Sequence, residues 1–207
     1  MGAVTTVLEI PTLSGNHVRL APLERGYAAA LADAANEDRS SYGFTLVPDD
    51  EASMSRYIDD LLAQWRDGEA VPFVQLDATR GRPVGVTRYL TLRWRGGSEV
   101  LFAVEIGGTW LAGSAQRSAI NTEAKLLLLT HAFDSWRVGR VDFKTDARNA
   151  RSRTAISRLG ATFEGVLRHW QPSYVAGEAG ALRDSAMYSV LDHEWPVVRA
   201  RLEGQLR

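Results

Sequence analysis

The stretch from Val71 to Trp136 constrains the fold more than any other part of this 207-residue chain. Val71 to Leu76, Pro83 to Arg93 and Glu99 to Leu111 carry strand composition. The links between them are tight turns, Thr79-Arg80-Gly81-Arg82 and Arg95-Gly96-Gly97-Ser98. Sequential strands joined so closely pair as an antiparallel meander. Ser118 to Trp136 then switches to a helical pattern that is apolar on more than one face, which predicts a largely buried helix packed on that sheet. A strand at Arg140 to Thr145 and a helix from Arg148 to Leu159 follow, with Gly160 as the stop signal.

The flanking segments complete the order. Residues 1 to 16 are read as a leader ending in a turn at Ser14-Gly15-Asn16. His17 to Leu23 is a short edge strand stopped by Pro22, and Ala21 to Asn36 turns helical. Residues 37 to 48 are irregular and carry Tyr42 and Phe44. In Asp49 to Trp65, Met54, Tyr57, Ile58, Leu61, Leu62 and Trp65 form one apolar face, and Asp50 is placed to cap the helix. Strands at Phe163 to Trp170 and Ser185 to Leu191 precede a short helix at Asp192 to Leu202, within a helical tail spanning 192–207. The whole of 1–207 is expected to be one α/β (α+β) domain with a mixed, mostly antiparallel sheet flanked by helices.

Composition narrows the chemistry. With no cysteine, the chain has no disulfide framework, no cysteine nucleophile and no thiolate metal site. His17, His131, His169 and His193 are scattered, without the i, i+4 spacing of a zinc protease helix, so no metal site is expected. A formal net charge of -1 gives no basic excess for nucleic acid. No apolar run is long enough to span a membrane. Residues 1 to 15 lack the pattern of a secretory signal, and Gly2 makes no convincing lipidation signal, so cytoplasm is the default. Lys125 and Lys144 are the only lysines among 24 basic residues.

Two places look suited to a ligand. Gly107-Gly108 interrupts a strand just ahead of the longest helix, which marks a bulge or a close backbone approach. From Trp110 to Glu123, a strand end, a small-residue loop and a helix start leave backbone N–H groups available for phosphate. Ser118, Asn121 and Thr122 suit that junction, which is equally compatible with an ordinary capped loop.

Four segments in order, VEIGGTWL, AQRSAINTEAKLLLLTHAF, RVDFKTDARNARSRTAISRLGATFEGVLR and RDSAMYSVLDHEWP, resemble the GCN5-related N-acetyltransferases (GNAT). The likeness runs from Val104 to Asp192 and is strongest to the RimJ/RimL-like branch that acetylates ribosomal proteins. It implies a sheet splayed at a central bulge, acetyl-CoA as cosubstrate, and an amine acceptor that is a protein N-terminus or a small amine. The family loop Gln/Arg-x-x-Gly-x-Gly/Ala, which wraps the cosubstrate's pyrophosphate, falls on Gln116, Arg117, Ser118, Ala119, Ile120 and Asn121, followed by Thr122. Ala119 and Asn121 depart from its glycine and small residue; Asn121 is a candidate helix cap.

The resemblance further implies that Gly107-Gly108 opens a pantetheine slot lined by Thr109, Trp110 and Leu111. Glu105 beside it would act as the base, directly or through water, although as a residue alone it is an ordinary strand glutamate. Asn149-Ala150-Arg151-Ser152 matches an Asn-x-x-Ser motif in which Asn149 contacts CoA and Ser152 protonates the departing sulfur. Ser152 also shares the face of Ala155, Ile156 and Leu159, where a serine can be merely structural. Tyr188 is an alternative acid. Asp184 and His169 are candidates to orient the amine, and Arg168 and Arg183 to steer a carboxylate-bearing substrate. Trp195 is assigned to core packing. A homodimer is plausible by the same likeness. The competing reading is a non-catalytic acyl-CoA-binding or regulatory protein of the same fold.

Overall fold

The computed structural model describes residues 6–96 and 100–207. The first five residues of the expected leader, including Gly2, and the Gly97, Ser98 and Glu99 part of the expected turn and strand lie outside the described residues.

The predicted meander is present. Strands β3 (Ala70–Asp77), β4 (Pro83–Trp94) and β5 (Leu101–Leu111) pair antiparallel in sequence order. Asp77 closes the β3–β4 turn by accepting from the Thr79 and Arg80 amides at 2.9 and 3.0 Å. Upstream, β2 (Val18–Pro22) pairs with β3, and the two-residue β1 (Leu13–Ser14) pairs with β2. Downstream come β6 (Arg140–Asp146), β7 (Thr162–Pro172) and β8 (Leu182–Leu191). The sheet order is β1-β2-β3-β4-β5-β6-β8-β7. Only β5 and β6 run parallel among the described pairs, because helix α3 (Ala119–Thr130) crosses over between them.

Helices cover both faces, so the sheet divides two cores. On one face Leu20, Phe73, Tyr89, Val104, Val141 and Phe143 pack beneath α3, α4 (Ala150–Leu159) and α5 (Trp195–Gln205). Tyr89 ties α3 down by donating its hydroxyl to the Leu128 carbonyl at 2.6 Å. On the other face Val74, Leu76, Val86 and Trp110 pack against α1 (Ala28–Asn36) and α2 (Glu51–Arg66). Met54, Ile58 and Leu61 of the predicted α2 face are buried there. Asp50 caps α2 as expected, in a reciprocal box with Ser53.

Four boundaries differ from the sequence reading, each for a local reason. Part of the expected leader is strand: β1 lies outside β2, so β2 is not an edge. The first helix starts at Ala28 rather than Ala21, since β2 runs to Pro22 and the Leu23 amide still bonds to Pro72. A short 3-10 turn, Arg25–Tyr27, bridges the two. The central helix ends at Thr130 and continues as a wider π-type turn, His131–Ser135. The last helix starts at Trp195, with Pro196 in its first turn, instead of at Asp192. No helix of the described residues is long and apolar enough to cross a membrane.

Candidate active site

Parallel pairing of β5 and β6 lasts only three residues, Ala103–Glu105 against Arg140–Asp142. Beyond Glu105 the strands diverge. Across β4 the ladder slips at the same place: Gly107 faces Arg88 and Trp110 faces Val86, so Gly108 and Thr109 share the place opposite Thr87. This is the predicted bulge. Gly108 adopts φ +58, which side chains rarely tolerate, and the strand bends there. The opened V is a cavity of about 1240 Å³ between α3, α4 and the splayed strands.

One end of the cavity is built by two helix starts. Ser118 caps α3, accepting from the Ile120 amide at 3.3 Å and donating to the Ala115 carbonyl at 2.7 Å. The cap is therefore Ser118 and not Asn121, which sits inside the first turn. Gln116 organises the loop: its amide nitrogen donates to the Leu111 carbonyl at 2.8 Å and to Ser41 at 2.9 Å, and its oxygen accepts from Arg151 at 2.6 Å. Arg117 takes φ +57, turning the chain into the helix. Gln116, Arg117, Ser118, Ala119, Asn121 and Thr122 all line the cavity. Ile120 does not; it is 7% exposed and packs in the α3-side core. Successive side chains of a helix start point about 100° apart, so those of the motif divide between the cavity and the core.

Asn149 caps α4 through its side-chain oxygen, which accepts from the Ser152 amide at 3.0 Å. Both residues line the cavity, as do Thr109, Trp110 and Leu111 of the bent strand. The Leu111 carbonyl accepts from the Tyr42 hydroxyl at 2.9 Å. This docks the irregular 37 to 48 loop against the site, and burial pushes the Tyr42 hydroxyl up to about 12.

Glu105 lies at the apex of the V, 5% exposed and lining the cavity. Its Oε2 is 3.3 Å from Lys144 Nζ and accepts from the Thr91 hydroxyl at 3.3 Å. Tyr188 is not brought into this group. Its register places it beside Phe143 and Phe163, under α4, where its hydroxyl accepts from Arg153 Nε at 3.1 Å. It borders a separate depression with Arg153 and Ser157. Asp184, Arg168 and His169 also stay outside the cavity, Asp184 accepting from the His169 amide at 2.9 Å. Arg183 is inside it. Trp195 is core, as expected, at 5% exposure. Among the described residues no group of three or more His, Asp or Glu could hold a metal ion.

Sequence reasoning missed Lys125. It lines the cavity from α3, 6% exposed, donating to Thr109 at 2.8 Å and Thr87 at 3.3 Å. The signal was a lone lysine within AKLLLL, on a helix predicted to be largely buried. Burial pushes its ammonium down from 10.5 to about 7. Between those values the unfolded chain holds a proton that the folded chain has lost. Stability therefore rises with pH across that window, and the cost of burying the charge is fully present below it. Lys125→Met is accordingly expected to stabilise the apoprotein more at about pH 6 than at about pH 10, by roughly 2–4 kcal/mol. Denaturant melts at the two pH values check this; equal effects would contradict it.

Comparison with known proteins agrees with this architecture. Residues 17–162 match the family model described as an acetyltransferase (GNAT) domain. A T. thermophilus protein whose structure is designated an acetyltransferase is 34% identical, with 97% of this chain and 100% of that chain covered and a TM-score of 0.80. A GCN5-related N-acetyltransferase from Brucella melitensis is 24% identical over 98% of this chain and 88% of its own, with a TM-score of 0.84. Mycobacterium smegmatis RimJ, solved with CoA-disulfide, shares the fold at a TM-score of 0.75, with 24% identity over 92% of this chain and 90% of its own. No protein of curated function matches.

Proposed function

Because the chain belongs to the GNAT family of acetyltransferases, we propose that it transfers the acetyl group of acetyl-CoA directly to a primary amine, in a ternary complex. The observation that carries this reading is the V itself. It has two capped helix starts at one end, a bent strand along one wall and a carboxylate at the apex. Acetyl-CoA would supply the activated thioester and the reactive sulfur that a cysteine-free chain lacks.

The residues present fit such a cosubstrate. Amides at the start of α3, with Arg117, Arg151 and Arg158 in the same lining, suit a pyrophosphate. Thr109, Trp110 and Leu111 offer strand backbone beside the gap where β6 no longer pairs, which suits the amide-bearing pantetheine arm. Glu105 takes the proton from the acceptor ammonium, directly or through one water, and the neighbouring Lys144 holds its carboxylate in place. Ser152, at the first turn of α4, donates a proton to the leaving sulfur and is reprotonated, through water, by the second proton that the attacking nitrogen sheds. The acetyl group passes from sulfur to nitrogen without residing on the protein. RimJ has the same fold, and the reading takes a RimJ/RimL-like placement; a protein N-terminus as one acceptor class, a cytoplasmic setting and a homodimer belong to it as proposals.

Thiol release from acetyl-CoA, measured across peptides, amino acids, polyamines and aminoglycosides, tests the activity. Acceptor-dependent release is expected. Saturable CoA binding with no release in any arm would instead support the non-catalytic reading. Glu105→Gln is expected to lower kcat about 100- to 1000-fold with CoA affinity preserved, and Ser152→Ala about 10-fold or more. Unchanged turnover in either variant would reject that residue's role.

A further inference from the structure

The V holds two guanidinium groups that form no ion pair among the described residues. Arg183, on β8, is 8% exposed and lines the cavity, and its buried Nε has no hydrogen-bond partner. Its guanidinium rests 5.8 Å from the Tyr174 ring centre, and burial pushes its pKa down. Arg88, on β4, lies against the bulge: a Cβ on Gly108 would come 2.5 Å from its Nε. That Nε is likewise buried without a partner, and NH1 donates only to the neutral Gln64, at 3.2 Å.

The carboxylates nearby are engaged elsewhere. Glu105 pairs with Lys144 at 3.3 Å, Asp146 with Arg148 at 2.8 Å, and Glu178 with Arg148 at 2.7 Å. Among the described residues neither Arg88 nor Arg183 has an acidic partner within ion-pair reach. Asp146 and Glu105 act on Arg183 only from beyond ion-pair distance and leave its burial poorly compensated, whereas a carboxylate or phosphate meets a guanidinium fork bidentately. The arginine at the bulge stands next to the reaction apex, so the missing anion belongs close to the reacting amine.

From this we infer that the acceptor carries a carboxylate adjacent to its primary amine, held by Arg183 and Arg88 while the amine faces Glu105. Two sources have that chemistry: a free α-amino acid, or a peptide whose first residue is Asp or Glu. The inference rests on the acetyltransferase reading and narrows its acceptor. A neutral or purely cationic amine leaves the two guanidinium groups unpaired, and a polar site rejects a substrate lacking its matching group far more strongly than an apolar site does.

Matched pairs test it on the full chain. Common L-amino acids are compared with their α-carboxamides, and short peptides beginning with Asp or Glu with those beginning with Asn or Gln. Expected is a preference of about 100-fold in kcat/KM for the carboxylate member of one pair, which also identifies the source. Arg183→Met and Arg88→Met should raise KM for that member and collapse the preference, with CoA binding by calorimetry as the folding control. Turnover that ignores the carboxylate in both pairs would overturn the inference while leaving the acetyltransferase reading intact. Should no acceptor turn over, binding decides it: N-acetyl-amino acids should bind wild type at least about 10-fold tighter than their carboxamides, a difference lost in Arg183→Met. Equal binding would overturn the inference.

Discussion

Gly108→Ala is expected to lower kcat/KM by about 100-fold or more while the protein stays folded. Two causes act together. At φ +58 an L side chain is strained by roughly 1–3 kcal/mol. The new Cβ would also stand 2.5 Å from Arg88 Nε and 3.1 Å from its Cζ. The guanidinium end can move, but it lines the cavity, so relief of the clash displaces a group at the reaction apex. If the strand instead unbends, Thr109 leaves its bonds to Lys125 and Thr87 and the V narrows. A displacement of about 1 Å at a reacting centre is enough for a loss of this size. Steady-state kinetics beside a thermal melt check it; wild-type turnover would mean that the bulge does not position the chemistry.

The largest effect on stability is expected at Glu123. Its carboxylate, buried in α3, accepts from three consecutive amides of the β1–β2 turn: Asn16 at 2.9 Å, His17 at 2.6 Å and Val18 at 2.8 Å. A Cβ on Gly15 would overlap the same carboxyl group, so the turn fits around it. Glu123→Ala removes the acceptor of all three donors, of which the Val18 amide is buried and those of Asn16 and His17 are part-buried. Bonds to a charged group, together with the desolvation of what remains, put the loss at about 3–5 kcal/mol. That is about 10 °C in Tm for a chain this size. Glu123→Gln keeps one acceptor oxygen and should lose less. A loss below about 1 kcal/mol for the alanine variant would mean that water or a rearranged turn satisfies these amides.

Local patterns made most of the fold legible. Strand composition between tight turns marked β3, β4 and β5, the apolar helix marked α3, and Gly107-Gly108 marked the bulge. What escaped notice depends on partners distant in sequence. The turn at Ser14-Gly15-Asn16 was legible, but strand β1 before it is only two residues long and the turn is held by Glu123, 107 positions beyond Asn16, so neither the strand nor the anchor could be read from residues 1–16. The candidate site divides in the same way. The junction around Ser118 is a local motif and was readable, whereas Asn149 was read only as a CoA contact implied by the resemblance and its capping of α4 comes from the structure. Tyr188 was misplaced because its role depends on which sheet face it occupies, and the register sets it beside Phe143 and Phe163 under α4. Arg183, five residues earlier, falls on the opposite face by strand alternation. Lys125 carried a visible signal, a charge inside a buried helix, but its significance needed the two threonine hydroxyls that β4 and β5 bring to it.

Direct transfer in the V is tested most sharply by a single-turnover quench with acetyl-labelled acetyl-CoA and an accepted amine. The label should appear on the amine nitrogen in step with free CoA, with none on the protein at any time and no CoA release when the amine is omitted. Label that first accumulates on the protein and then moves to the amine would contradict it, as would acceptor-independent release of CoA.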